Sequence, residues 1–127
     1  MLWKHILLIG LGGGVGSIAR FLCQKYIYEW HPHPFPVGTM TVNVAGCFLI
    51  GLFCALADKG NLLTPEWRIL LTTGFCGGFT TFSTFAYENI NLLKSGELMY
   101  FLLYTAASVI LGLLATWLGI VIVKLIF

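Results

Sequence analysis

Charge is what this chain has least of: 7 Lys or Arg and 5 Asp or Glu stand among 127 residues, with 58% hydrophobic residues and a mean hydropathy of +0.90. Such scarcity excludes an ordinary soluble domain, whose surface must be polar enough to cover one core. Long polar stretches are absent too. The connections near 31 to 37, 59 to 66 and 94 to 97 are too short to fold by themselves, so any activity is expected inside a bilayer. Cys23, Cys47, Cys54 and Cys76 make no CxxC pair and no Cys/His cluster with zinc spacing, and they read as free thiols packing as small apolar groups. No nucleophile, base and orienting acid occur together, which argues against an enzyme. GLGGGVG at 10 to 16 lacks the Lys-Ser/Thr of a phosphate-binding loop, leaving helix packing as the reading for its glycines. The first apolar run has a basic residue before it but no small-x-small cleavage site, so it is expected to stay in the membrane. His31 and His33 alternate with prolines in a short loop and read as solvated turn residues.

What is present is apolar length. A spanning helix needs about 20 mainly apolar residues, and stretches at about 3–28, 38–57, 67–93 and 98–126 meet that requirement. The expectation is an all-α integral membrane protein with four transmembrane helices in one domain. Lys4, Lys59, Arg68 and Lys124 would share one side and Lys25 and Lys94 the other, with Arg20 deeper in the first span. Because Lys and Arg placement orients small membrane proteins, so narrow a bias leaves both a fixed and a dual orientation open. Small residues recur on the first span (Gly10, Gly12, Gly13, Gly14, Gly16, Ser17) and on the fourth (Ala106, Ala107, Ser108, Gly112, Ala115, Gly119). Such positions let membrane helices approach closely, and a homodimer is expected.

One segment is written unlike a lipid-facing helix. Residues 74 to 85 read GFCGGFTTFSTF, with three glycines that permit a break followed by alternating hydroxyls and rings. At roughly 100° per residue, Phe79, Phe82 and Phe85 fall on one side, and Thr81, Thr84 and Glu88 follow a neighbouring stripe. Polar side chains at bilayer depth are costly and normally face a bundle interior or a wet cavity. Arg20 either attracts an anion, snorkels to the interface or pairs with Glu88. Asn43 offers an amide on the second span after Thr39 and Thr41. Tyr104 and Ser108 lie one turn apart on the fourth, so both hydroxyls can face the third span. Any one hydroxyl taken alone can instead bond back to its own helix, and phenylalanines at helical spacing are more often packing than binding groups. Together, however, Thr80, Thr81, Ser83, Thr84, Glu88 and Asn91 look like a polar track. Ring edges are electropositive, so Phe82 and Phe85 can meet a small anion whose water is replaced by hydroxyl and amide donors.

GFCGGFTTFSTF resembles the third-helix signature of the Fluc, or CrcB, family of fluoride channels. GTMTVNVAG at 38 to 46 is similar to the family's second-helix element, and GGGVGSIARF at 12 to 21 to its Gly-rich first helix ending in Arg. The resemblance implies an antiparallel, dual-topology homodimer in the bacterial inner membrane, with two pores that pass fluoride passively down its electrochemical gradient. It implies that Phe82 and Phe85 box fluoride and that Asn43, Tyr104 and Ser108 line the pore or position the rings. Ser83, Thr84 and Glu88 match the polar track and Arg20 the vestibule. Carbonyls of Gly77 and Thr80 from both subunits match a structural sodium site at the dimer centre. Fluoride, lipid and a second copy are the implied partners, with no nucleic acid. Phe79 departs mildly, standing where many relatives carry Leu or Met. Two rivals remain at this point: a proton-coupled exporter of toxic cations, as in small multidrug transporters, and a non-transporting assembly subunit.

Overall fold

Prolines and polar caps set the limits of the helices. The computed structural model describes residues 1–60 and 62–127. Helix α1 (Leu2–Trp30) closes with the His31 N–H donating to Ile27 O, and Pro32, Pro34 and Pro36 then bar any continuation. Helix α2 (Val37–Asp58) begins directly after Pro36. Helix α3 (Pro65–Ile69) is capped by Thr64, whose hydroxyl accepts from the Trp67 N–H at 3.3 Å, with Pro65 in the first turn, where no N–H is needed. A π-helical segment, Leu70–Cys76, follows without interruption and leads into the single turn α4 (Gly77–Phe79). Thr80 and Thr81 are extended, and α5 (Phe82–Lys94) starts afresh with Thr81 as its cap.

The KSGE connection to α6 (Leu98–Ile126) is a tight reversal. The Glu97 N–H donates to Leu92 O and the Gly96 N–H to Leu93 O, with Gly96 at φ +76°, a left-handed conformation that glycine adopts without penalty. Four stretches, Leu2–Trp30, Val37–Asp58, Pro65–Lys94 and Leu98–Ile126, are long and apolar enough to cross a membrane. All regular structure among the described residues is helical.

Helix α2 lies along α6, and α1 lies against the π-helical segment and α4. Glycine makes the second approach possible. A Cβ on Gly16 would overlap the Phe75 carbonyl oxygen, so any other residue there would push the first span off the third. Gly10 and Gly14, by contrast, face open space, so part of the first span's small-residue stripe meets nothing within this chain.

The interruption corrects one expectation. Helical spacing puts Phe79 on one side with Phe82 and Phe85, but that holds only for an unbroken α-helix. In the structure Phe79 is 8% exposed and stacks on Phe75 at 5.4 Å, whereas Phe82, beyond the extended pair, is 79% exposed.

Candidate functional site

The extended pair at Thr80 and Thr81 removes backbone partners that a medium without water cannot replace. Asn43, on α2, supplies part of what is lost. Its Oδ1 accepts from the Thr81 N–H at 2.8 Å and its Nδ2 donates to Thr81 O at 3.1 Å, so one side chain satisfies both backbone groups of that residue. In a continuous helix the Thr81 N–H would instead reach Gly77 O. Among the described residues nothing donates to the Gly77 carbonyl in its place, nor to that of Thr80. Gly78 O is the exception at the break: Arg20 Nε donates to it at 3.0 Å.

Arg20 therefore braces the interruption from α1 and does not pair with Glu88, which corrects that alternative. Its terminal guanidinium nitrogens make no ion pair or hydrogen bond among the described residues. The back-bonding alternative holds for Thr80, whose hydroxyl donates to Cys76 O at 2.9 Å, and for Thr41 and Thr72, whose hydroxyls donate to carbonyls one turn earlier.

Two cavities flank the start of α5. The first, about 440 Å³, is lined by Asn43, Thr80, Thr81, Phe82, Phe85 and Ser108. Ser108 Oγ is buried there with no hydrogen-bond partner among the described residues. Phe85 is braced by Tyr104, with ring centroids 4.9 Å apart, and Phe82 tilts against Phe85 at 5.8 Å. The second cavity, about 710 Å³, is lined by Gln24, His31, His33, Thr39, Thr84 and Glu88 among others. A hydroxyl pair joins the two: Thr81 Oγ1, in the wall of the first, donates at 3.0 Å to Thr84 Oγ1, in the wall of the second. Thr81 Oγ1 also accepts from the Thr84 N–H at 3.2 Å, so the cap of α5 and the link between the cavities are one group.

Around Glu88 all four spans meet. Tyr104, 0% exposed, donates to Oε1 at 2.9 Å; Thr39, 3% exposed, donates to Oε2 at 2.9 Å; and Gln24 Nε2 donates to Thr39 Oγ1 at 3.0 Å. Tyr104 and Ser108, expected along one stripe, thus have different fates, the first hydroxyl spent on Glu88 and the second unspent. Ser83 is exposed and lines neither cavity, coming no closer to Thr81 Oγ1 than 3.5 Å, beyond a good hydroxyl hydrogen bond. His33 does more than face solvent, since its Nδ1 accepts from the Phe35 N–H and its ring lies 5.6 Å from that of Tyr100. The four cysteines are unpaired.

Sequence reasoning missed Gln24 and Asn89. Asn89, 6% exposed, accepts from the Thr105 hydroxyl at 3.3 Å and ties α5 to α6. Gln24 left a faint trace: it follows Arg20 by four residues, one turn along the same face of the helix.

Comparison with known proteins gives one consistent result. Residues 7–120 match the family model described as CrcB-like protein, Camphor Resistance (CrcB). A protein of Flavobacterium psychrophilum named fluoride-specific ion channel FluC is 47% identical over 121 residues, covering 95% of this chain and 98% of that one. Proteins of the same name from Chlorobium phaeobacteroides and Gloeothece citriformis are 48% identical over 123 residues and 49% identical over 120, covering 97% and 94% of this chain and 95% and 97% of theirs. With four apolar spans and relatives of this closeness along nearly its whole length, the chain is a multi-pass membrane protein that belongs to the CrcB-like family.

Proposed function

We propose that this protein is a fluoride-selective channel that exports fluoride passively across the bacterial plasma membrane. The observation that carries the reading is Ser108 Oγ, a buried hydroxyl with no partner among the described residues, in a cavity walled by Phe82 and Phe85. A buried donor left unmade costs about 1–3 kcal/mol, a cost that a small, strongly accepting anion would remove. Fluoride must shed water to meet donors set between apolar rings. Ring edges and uncharged donors replace that water without holding the ion as tightly as a fixed cation would, so it can leave again. From this first site the path continues past Thr81, whose own proton is donated to Thr84, to the Thr84 hydroxyl on the side of Glu88 and the second cavity. Asn43 has a second amide hydrogen to offer the ion while its other contacts hold Thr81. Nothing in the constellation performs a chemical step, and the protein acts as a conductor, not an enzyme.

A single chain leaves much of this path open, with Phe82 and Gly77 both exposed. A second, antiparallel copy would cover them, meeting the outward small residues Gly10 and Gly14 and creating two pores, each completed by rings of both subunits. The near-balanced Lys and Arg placement suits insertion in both orientations. At the centre of such a dimer, the Gly77 and Thr80 carbonyls of both copies form an oxygen-only donor set, which suits a hard monovalent cation such as sodium. Its role would be structural, giving the carbonyls the break has freed a partner, and its charge would favour an anion nearby. Ser83, exposed on one chain, and the free guanidinium nitrogens of Arg20 would act as accessory donors at the pore and its vestibule.

The multidrug-exporter alternative needs an acidic side chain open to exchange protons for a cation. Glu88 has both oxygens occupied by donors. The test is fluoride-electrode efflux from liposomes holding only this protein, comparing native with Ser108→Ala. Loss of one donor to the ion lowers fluoride efflux by about tenfold, equivalent to about 1.4 kcal/mol. Efflux equal to native would remove Ser108 from the pore.

A further inference from the structure

We propose that Gln24 is a positioning residue of the channel, setting through Thr39 the direction of the hydrogen-bond chain that holds Glu88 beside the hydroxyl track. The inference rests on the channel reading above and adds a residue outside it. Glu88 faces Thr39 on α2 and Tyr104 on α6, and it shares its cavity with Tyr28, His31, His33 and Glu97. No lysine or arginine lines that cavity among the described residues, so the carboxylate depends on uncharged donors alone.

A threonine hydroxyl has one proton, and where that proton goes is decided by the other neighbour. Gln24 Nε2 donates into Thr39 Oγ1 at 3.0 Å, which occupies the oxygen as an acceptor and sends its proton to Glu88 Oε2. Were the amide reversed, Gln24 Oε1 would take that proton, and two oxygens would face each other across 2.9 Å unless Glu88 were itself protonated. The orientation of one amide on α1 and the charge state of a carboxylate on α5 are thereby coupled through α2. The backbone is shaped for this reach. A Cβ built on Gly38, the residue before Thr39, would lie 3.3 Å from Gln24 Cα, so glycine there keeps the two helices close where the amide must meet the hydroxyl. Without Gln24, nothing donates to Thr39 Oγ1, and its proton is no longer directed to Glu88 by a second neighbour. Glu88 would then present an unsatisfied negative oxygen to the anion's path.

The decisive experiment is a double-mutant cycle on fluoride efflux from liposomes with Gln24→Met, Thr39→Val and the pair. Each substitution keeps the approximate side-chain volume; Gln24→Met removes the link into Thr39, and Thr39→Val removes that link together with the one to Glu88. Each single variant is expected to slow efflux about fivefold, the equivalent of one hydrogen bond, and the double variant no more than either single. Multiplication of the two losses to about 25-fold, or an unaffected Gln24→Met, would overturn the proposal. Infrared spectroscopy of the purified protein supplies a readout independent of transport. The Glu88 carboxyl band, assigned by subtracting the Glu88→Gln spectrum, should shift alike in Gln24→Met and Thr39→Val, and an unmoved band would overturn the proposal as well. If native protein passed no fluoride while the band still shifted, the channel reading alone would fall.

Discussion

Phe82 is the residue on which the proposed anion chemistry turns, because its ring, tilted against Phe85, shares a cavity wall with an unpartnered hydroxyl. An isoleucine there keeps the apolar bulk and removes the electropositive edge. Phe82→Ile is expected to lower fluoride efflux at least tenfold, about 1.4 kcal/mol, while size-exclusion profiles of the detergent-solubilised protein stay native. Unchanged efflux would mean that the ring packs and does not bind. At this scale the residue types were informative: rings, hydroxyls, an amide and one deep carboxylate in an apolar chain can be picked out by their cost in a bilayer. Their partners were not. Arg20 reads from sequence as a match for Glu88, but it donates to Gly78 O, because the break creates a backbone acceptor that no residue list contains. Gln24 escaped notice because its role depends on the direction of a proton on Thr39.

Among the elements, the third span carries the design. Three glycines made an interruption legible, but its form was not: a π-helical segment precedes it, and the extended pair before the restart at Phe82 is held by Asn43 reaching across from α2 to residue 81. A helical projection assumes a constant turn angle and therefore misplaced Phe79, which belongs to the packing against Phe75. Asn43→Leu tests the clasp. Losing two hydrogen bonds to a half-buried backbone is expected to destabilise the folded protein by about 1–3 kcal/mol, read as a lower unfolding temperature in detergent. A variant as stable as native would show that the interruption stands without Asn43. Thr81 has a comparable double duty as cap and bridge. Thr81→Ser, which keeps the hydroxyl, is expected to conduct fluoride within about twofold of native, whereas Thr81→Val also forfeits a cap worth about 1 kcal/mol and slows efflux in the same liposome assay. Equal efflux from both would detach the hydroxyl from the path.

For the molecule as a whole, hydropathy made the four spans legible because the bilayer imposes a length and a polarity that few other environments demand. How copies of the chain meet was less legible, since an exposed apolar residue looks the same whether lipid or protein covers it. The proposed antiparallel dimer would bring together Gly77, Thr80 and the outward glycines of α1, and the cation proposed at its centre would be necessary to assembly. Replacing sodium with a bulky organic cation during purification is therefore expected to weaken the dimer, seen as dissociation on dilution in detergent. A dimer indifferent to sodium would argue against carbonyl coordination at its centre. The central claim is that ring edges and uncharged donors take the place of fluoride's water. Its most direct test is efflux from liposomes containing only this protein, followed in parallel with fluoride-selective and chloride-selective electrodes. The account predicts rapid release of fluoride with chloride retained; equal release of both ions, or of neither, would contradict it.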